Sequence, residues 1–297
     1  MVTDQVTVPL LLSLASSKRL HNLCRLGYTA ALGFQTFFSP SGRLSVFKTH
    51  GFGSVLLLAL CTFELAAHDI MLIPQAPAGQ IKLLGRYGEP GSWGTASVGK
   101  LMDVLSYQPD GKIVPLNKGL KQDGANFQVP PIEAGSQTGL WIFTTAYDGG
   151  FTVKTTDGRT INSTKMDYPA ATASYHNLKF GKTLVAIGEH HGGCDRVIGH
   201  RLEIVPQADP FSLKAGEKLP VLVLFDGKPL AGEEVEAGDE AILMWPDVEK
   251  PKTNAKGMAM MPVHSGLNRM AVEIERPTRT PALVDKDGYA ASLIFVK

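Results

Sequence analysis

Long apolar runs are scarce in this sequence. Of 297 residues 44% are hydrophobic, yet no stretch reaches the ~18–20 apolar residues a bilayer-spanning helix requires. Charge is sparse as well. Lys and Arg number 29 against 28 Asp and Glu, a net charge of +1 that provides no electrostatic footprint for nucleic acid or an anionic membrane. Low-complexity tracts and repeats of 20–50 residues are missing, which excludes solenoids and propellers. There is no G-x-S-x-G, no H-E-x-x-H and no carboxylate pair in a recognisable catalytic frame, so no enzymatic activity is expected. Only three cysteines occur, Cys24, Cys61 and Cys194.

What is present begins with one short apolar run, "FGSVLLLALCTF" at 52–63. Its length suits the ~7–15-residue apolar region of a secretory signal. Arg43 and Lys48 precede it with no acid between them, and the small residues Ala66 and Ala67 follow. A leader over 46–67 is therefore expected, cleaved after Ala67 to make His68 the first residue of a periplasmic protein. Residues 1–45 lack such a pattern. They read as a non-native or disordered upstream extension, with translation starting near Val46. Cleavage would remove Cys24 and Cys61 and leave Cys194 with no intramolecular disulfide partner.

The remainder reads as all-β. Short β-branched or aromatic runs such as "IKLLGRY" (81–87), "LWIFTTAY" (140–147), "FTVKT" (151–155), "TLVAIG" (183–188), "LPVLVLF" (219–225), "AILMW" (241–245) and "YAASLIFV" (289–296) are bounded by turn residues. Asp-Gly occurs in "QPDGK", "TTDGR", "FDGKP" and "DKDGY", each a turn signal. The glycine-rich "GRYGEPGSWG" (85–94) reads as a structured loop that could line a binding face. Two β-sandwich domains are expected, 68–205 and 206–297, divided in "VPQADPFSLKAG". The segment "VLFDGKPLAGEEVEA" makes the second resemble an immunoglobulin-like or transthyretin-like module of the kind found in carboxypeptidase regulatory domains.

Three longer passages carry a wider resemblance: "AHDIMLIP", "GHRLEIVPQADPFSLKAGEKLPVLVLFDGKPLAGEEV" and "DKDGYAASLIFVK". Over 66–297 the chain resembles a bacterial exported family, a domain of unknown function described as the periplasmic component of nickel or cobalt uptake. The resemblance implies a periplasmic location, transition-metal handling and a membrane transporter as partner. It implies no particular ligand set.

The residues themselves offer two places for a metal. "GEHHGGCDRVIGH" gathers His190, His191 and Cys194 with Glu189 and Asp195. Imidazole suits nickel, cobalt, copper and zinc, and thiolate the softer ions. In a strand His190 and His191 would point to opposite faces, so both can bind one ion only from a loop. The spacing matches no closed zinc pattern, and a solvated hairpin with incidental histidines fits the same residues. Cys194 could instead be a nucleophile beside a histidine or an inert buried thiol.

His68 is the second place. As a chain terminus it offers an α-amine and a ring nitrogen to one ion, as terminal-histidine copper sites do. As a strand-start residue it has no ligand role. The methionines of "GMAMMPVH" (258–264) alternate as one face of a buried strand would. The leading expectation is a periplasmic nickel- or cobalt-binding and delivery protein with His68, His190, His191 and Cys194 as ligands. An envelope interaction or carbohydrate-contacting module without metal is the alternative, and a terminal-histidine copper enzyme the third reading.

Overall fold

Residues 141–147, "WIFTTAY", are buried without interruption, and a strand of that kind needs cover on both faces. The computed structural model provides it with three stacked sheets. It describes residues 68–75, 80–89, 92–239 and 250–297. The expected extension (1–45), the leader (46–67) and the "AILMW" strand (241–245) lie outside these.

In chain order the first strands are β1 (Asp69–Gln75), β2 (Gln80–Glu89), β3 (Ser92–Gly94), β4 (Leu101–Tyr107), β5 (Ile113–Pro115) and β6 (Lys121–Asp123). Next come β7 (Asn126–Gln128), β8 (Ile132–Glu133), β9 (Gly139–Lys154), β10 (Thr160–Asn162), β11 (Ala173–Ile187) and β12 (Leu202–Pro206). The last are β13 (Lys218–Phe225), β14 (Lys228–Pro229), β15 (Val235–Asp239), β16 (Met258–Pro262), β17 (Leu267–Pro277) and β18 (Lys286–Val296). Helical structure among the described residues amounts to one 3-10 turn, Val98–Lys100. The protein is all-β.

The middle sheet runs β15-β17-β18-β11-β9-β4-β5, with β10 on β9. An outer sheet, β1-β2-β7-β6 with β3 and β8 on β2, covers one face. A four-stranded sheet of β12, β13, β14 and β16 covers the other. Alternation along β9 sets the two interfaces. Trp141, Phe143 and Tyr147 pack with Ile70, Leu83 and Phe127 of the first outer sheet. Ile142 and Ala146 face the core shared with Ile204, Val221 and Met261. Two sandwiches thus share one middle layer.

The division expected at 205/206 cuts across this hydrogen bonding. Leu202–Pro206 pair with Val221–Phe225, and β11 pairs in parallel with β18 from Tyr175↔Lys286 to Leu184↔Phe295. Strands of 206–297 form part of two facing sheets, but each sheet also contains strands from before residue 206.

Three local readings differ from the outcome. The runs 140–147 and 151–155 are one strand, because Asp148-Gly149-Gly150 lies opposite the irregularity at Asn177/Leu178 and bends instead of turning. Asp287-Gly288 is inside β18, not a turn, since β17 and β11 pair with it on both sides. The 85–94 loop is largely strand, with Tyr87↔Gly94 and Gly88↔Trp93 in register.

β1 also lies across the face of the middle sheet. Thr183 Oγ1 donates to Leu72 O at 2.7 Å, and Ser292 Oγ donates to Ile70 O at 2.8 Å. The approach is so close that a Cβ on Gly181 would sit 2.8 Å from Ile70 O. At the end of β1, Arg269 grips Asp69 through Nε at 2.9 Å and through Nη2. Both side chains are buried. Burial pushes the Asp69 carboxyl up, and Arg269 is the chief influence opposing it. Arg269→Ala is therefore expected to cost about 3–5 kcal/mol, since it strands a buried carboxylate. Replacing both partners by apolar residues, Asp69→Leu with Arg269→Met, should recover most of that loss in urea unfolding. A double variant as unstable as the single one would refute this account.

Candidate functional site

Two buried charges hold the loop that follows β11. Lys182 on β11 and Glu203 on β12 have side chains only 2% and 1% exposed, and each spends its hydrogen-bonding capacity on the intervening chain. Lys182 Nζ donates to Glu203 and to Arg196 O at 3.0 Å. Glu203 accepts the backbone N–H groups of Ile198 at 2.8 Å and Gly199 at 2.9 Å. Burial pulls the Lys182 ammonium down from its ordinary value, and the Glu203 carboxylate opposes that shift. Segment 196–199 is in this way tied down over the middle sheet.

Upstream, Gly192 and Gly193 adopt φ of 69° and 86°. This left-handed backbone costs a glycine little and reverses the chain between His190 and Cys194. The N–H of Arg196 closes the turn on Gly193 O at 3.2 Å and carries Cys194 inward. Cys194 is 3% exposed.

Beside it stands Asp209, supplied by the loop between β12 and β13. The N–H of Phe211 donates to Asp209 Oδ1 at 2.9 Å, fixing the carboxylate. Cys194 Sγ lies 3.8 Å from Oδ1, and His190 Nε2 lies 3.1 Å from Oδ2. That nitrogen is buried and poorly aligned for a hydrogen bond at this distance. The His190 ring stands edge-on to Phe211, with centroids 5.3 Å apart. The three donor atoms all fall within 4.8 Å of one another. Bonds of about 2.0–2.3 Å at tetrahedral angles set neighbouring donors roughly 3.3–3.5 Å apart. The 3.1 and 3.8 Å separations run to the two different oxygens of Asp209, so the carboxylate lies between the imidazole and the sulfur with one oxygen toward each. Burial pushes the Cys194 thiol up to about 12, and the charge of Asp209 adds to the effect. A thiol in that state is a poor nucleophile, which disfavours covalent chemistry.

Of the ligands expected from sequence, the structure brings together His190 and Cys194. His191 is exposed, is not among the clustered donors, and lines a neighbouring cleft of about 550 Å³ with Tyr107, Glu189 and Arg196. His68 lies at the start of β1 with its ring 5.1 Å from that of Tyr87. The opposite end of β1, at Pro74, is the one near 184–188. His68 and the loop after β11 therefore do not form a common ligand group among the described residues. Sequence reasoning missed Asp209, taking its segment for an interdomain boundary. An Asp followed at two residues by a backbone N–H it can accept is a local sign of a fixed carboxylate, but nothing local tells what it faces.

The description "Domain of unknown function (DUF4198)" matches residues 65–276. The chain belongs to the DUF4198 family. The matched region includes β1, the loop after β11 and Asp209. An uncharacterized protein of Haemophilus influenzae is 24% identical over 245 residues, spanning 82% of this chain and 96% of its own length. Among solved structures, a tetra-tandem repeat from the extending region of a large adhesion protein aligns over 77% of this chain. It does so with a TM-score of 0.21 and 10% identity, and this chain spans about half of it (49%).

The buried pair makes one expectation firm. Glu203→Ala leaves Lys182 without a counter-charge and should cost about 3–5 kcal/mol. Hydrogen exchange should show the amides of Ile198 and Gly199 losing protection more than those of β9. Uniform loss across the sheet would mean that the pair does not specifically hold the loop.

Proposed function

We propose that this DUF4198 protein is an exported, periplasmic binder of a transition-metal ion, nickel or cobalt, which it passes to a membrane uptake partner. The observation that carries the reading is the convergence of an imidazole nitrogen, a buried sulfur and a fixed carboxylate from two separate loops. Nitrogen, sulfur and oxygen together suit a borderline divalent ion better than calcium or magnesium, which prefer oxygen alone. The ion is cargo. Three protein donors do not close a tetrahedral or octahedral shell, so at least one position is left for an exchanging ligand. A closed four-cysteine site would hold its ion for structure; an incomplete one permits transfer.

Binding requires the thiol to lose its proton, because thiolate is the ligand. The cation stabilises both thiolate and carboxylate, reversing the influence that keeps the thiol protonated. One proton therefore leaves the thiol per ion bound. Apparent affinity should then rise about tenfold per pH unit.

Calorimetric titration of nickel, cobalt, copper and zinc tests the reading. Cys194→Ser, His190→Ala and Asp209→Asn should each weaken binding on the order of tenfold or more. Affinity that is the same in all three variants and the parent, or that is flat with pH, would refute the assignment. A second comparison concerns the chain terminus. Protein beginning at His68 and protein with one additional residue before it should bind equally, because His68 is not in the cluster; a large difference would restore the terminal amine as a ligand.

A further inference from the structure

The cleft of about 550 Å³ beside the cluster has a feature that a bare-cation site does not need. Its wall contains Arg196, whose guanidinium carbon lies 4.7 Å from the centre of the Tyr107 ring. Tyr107 lines the same cleft. The aromatic face holds the guanidinium while its donors face outward. The Arg196 backbone is separately anchored through its carbonyl to the buried Lys182 ammonium. Among the described residues no carboxylate forms an ion pair with Arg196, unlike Arg201, Arg269 and Arg276, which each have one. A guanidinium positioned in a cleft with no protein carboxylate on it is a binding point for an anion.

His190 is common to both features: it is one corner of the donor cluster and one wall of the cleft. An occupant of the cleft therefore borders the same imidazole that the ion would use. The charges are also informative. A divalent cation on the Cys194 thiolate, the Asp209 carboxylate and neutral His190 is formally neutral, so the site itself would not attract a further anion. Arg196 supplies that attraction, and its planar fork matches a carboxylate in a way an ammonium does not. Glu189 also lines the cleft and opposes an anion there; both it and Arg196 are exposed and screened, so the pairing rests on the guanidinium's placement against Tyr107 and its planar geometry.

Resting on the metal reading above, we infer that the ion is bound as a complex with a small carboxylate chelator, one carboxylate of which pairs with Arg196 in the cleft. The chelator's remaining donors fill the positions that the three protein ligands leave open. No covalent bond forms or breaks. Release then consists of exchange at those positions, with chelator and ion leaving by the same opening.

Citrate is the probe, with nickel as the ion. The quantity measured is the ratio of nickel affinity with citrate to that without, corrected for nickel–citrate formation in solution. Native mass spectrometry reads the mass of any ternary adduct. The parent protein should show one nickel and one citrate bound together, with a ratio of roughly tenfold or more, the worth of a charge-assisted hydrogen-bonded pair. Arg196→Ala should bring the ratio to one or below, and Arg196→Lys should fall between. Nickel binding without a ternary adduct, or a citrate gain that survives in Arg196→Ala, overturns the chelate inference and leaves the His190–Cys194–Asp209 reading standing. Failure to bind nickel with or without citrate overturns both.

Discussion

The Lys182–Glu203 pair is the constraint on which the functional end of this molecule depends. It joins the middle sheet to one outer sheet, and it holds the fourteen-residue connection between β11 and β12 through segment 196–199. Bringing two charges out of water costs several kcal/mol for each, and an isolated contact between them would not recover that. Here the ammonium also has a carbonyl and the carboxylate two backbone N–H groups, so the remaining capacity is satisfied. A hydrophobic pair of the same volume could hold two sheets together as well. It could not fix the backbone of 196–199, because it offers nothing for a carbonyl or an N–H to bond. The loop's shape is thus set by polar atoms under the surface, and its outward face is left free for chemistry.

That arrangement explains why one loop supplies different kinds of residue to different surroundings. His190 and Cys194 turn inward toward Asp209, whereas His191 and Arg196 remain at the cleft. A thiol enclosed in this way is shielded from oxidants and held protonated. A thiol in this state is a poor nucleophile.

Much of this was legible beforehand. The all-β class followed from short apolar runs between turn residues, and most of the strands named from sequence fall inside observed ones. Errors came where two non-local partners override a local preference. Gly149-Gly150 and Asp287-Gly288 carry turn chemistry, yet pairing with β11 carries β9 through a bend at Gly150 (φ 83°), and pairing with β11 and β17 holds 287–288 inside β18. A loop was expected to be needed for both His190 and His191 to bind one ion; both line the cleft, and only His190 belongs to the donor cluster. Asp209 was out of reach for a different reason. Its role depends on β12 returning beside β11, and that proximity is a property of the assembled sheets with no counterpart in the spacing of residues.

The position of β1 has a consequence for how the chain reaches its native form. This strand carries Asp69, whose partner Arg269 lies 200 positions later, and its carbonyls accept from Ser292 on the final strand. Synthesis makes β1 first and its platform of β17 and β18 last. Closure of so long a loop must precede any reward from these contacts, which slows assembly. Until then Ile70, Met71 and Leu72 have no finished sheet to lie on, and a new chain leaves this apolar strand uncovered by its platform for most of its synthesis. The segment that locks the finished molecule is therefore the one most in need of protection while the molecule is being made.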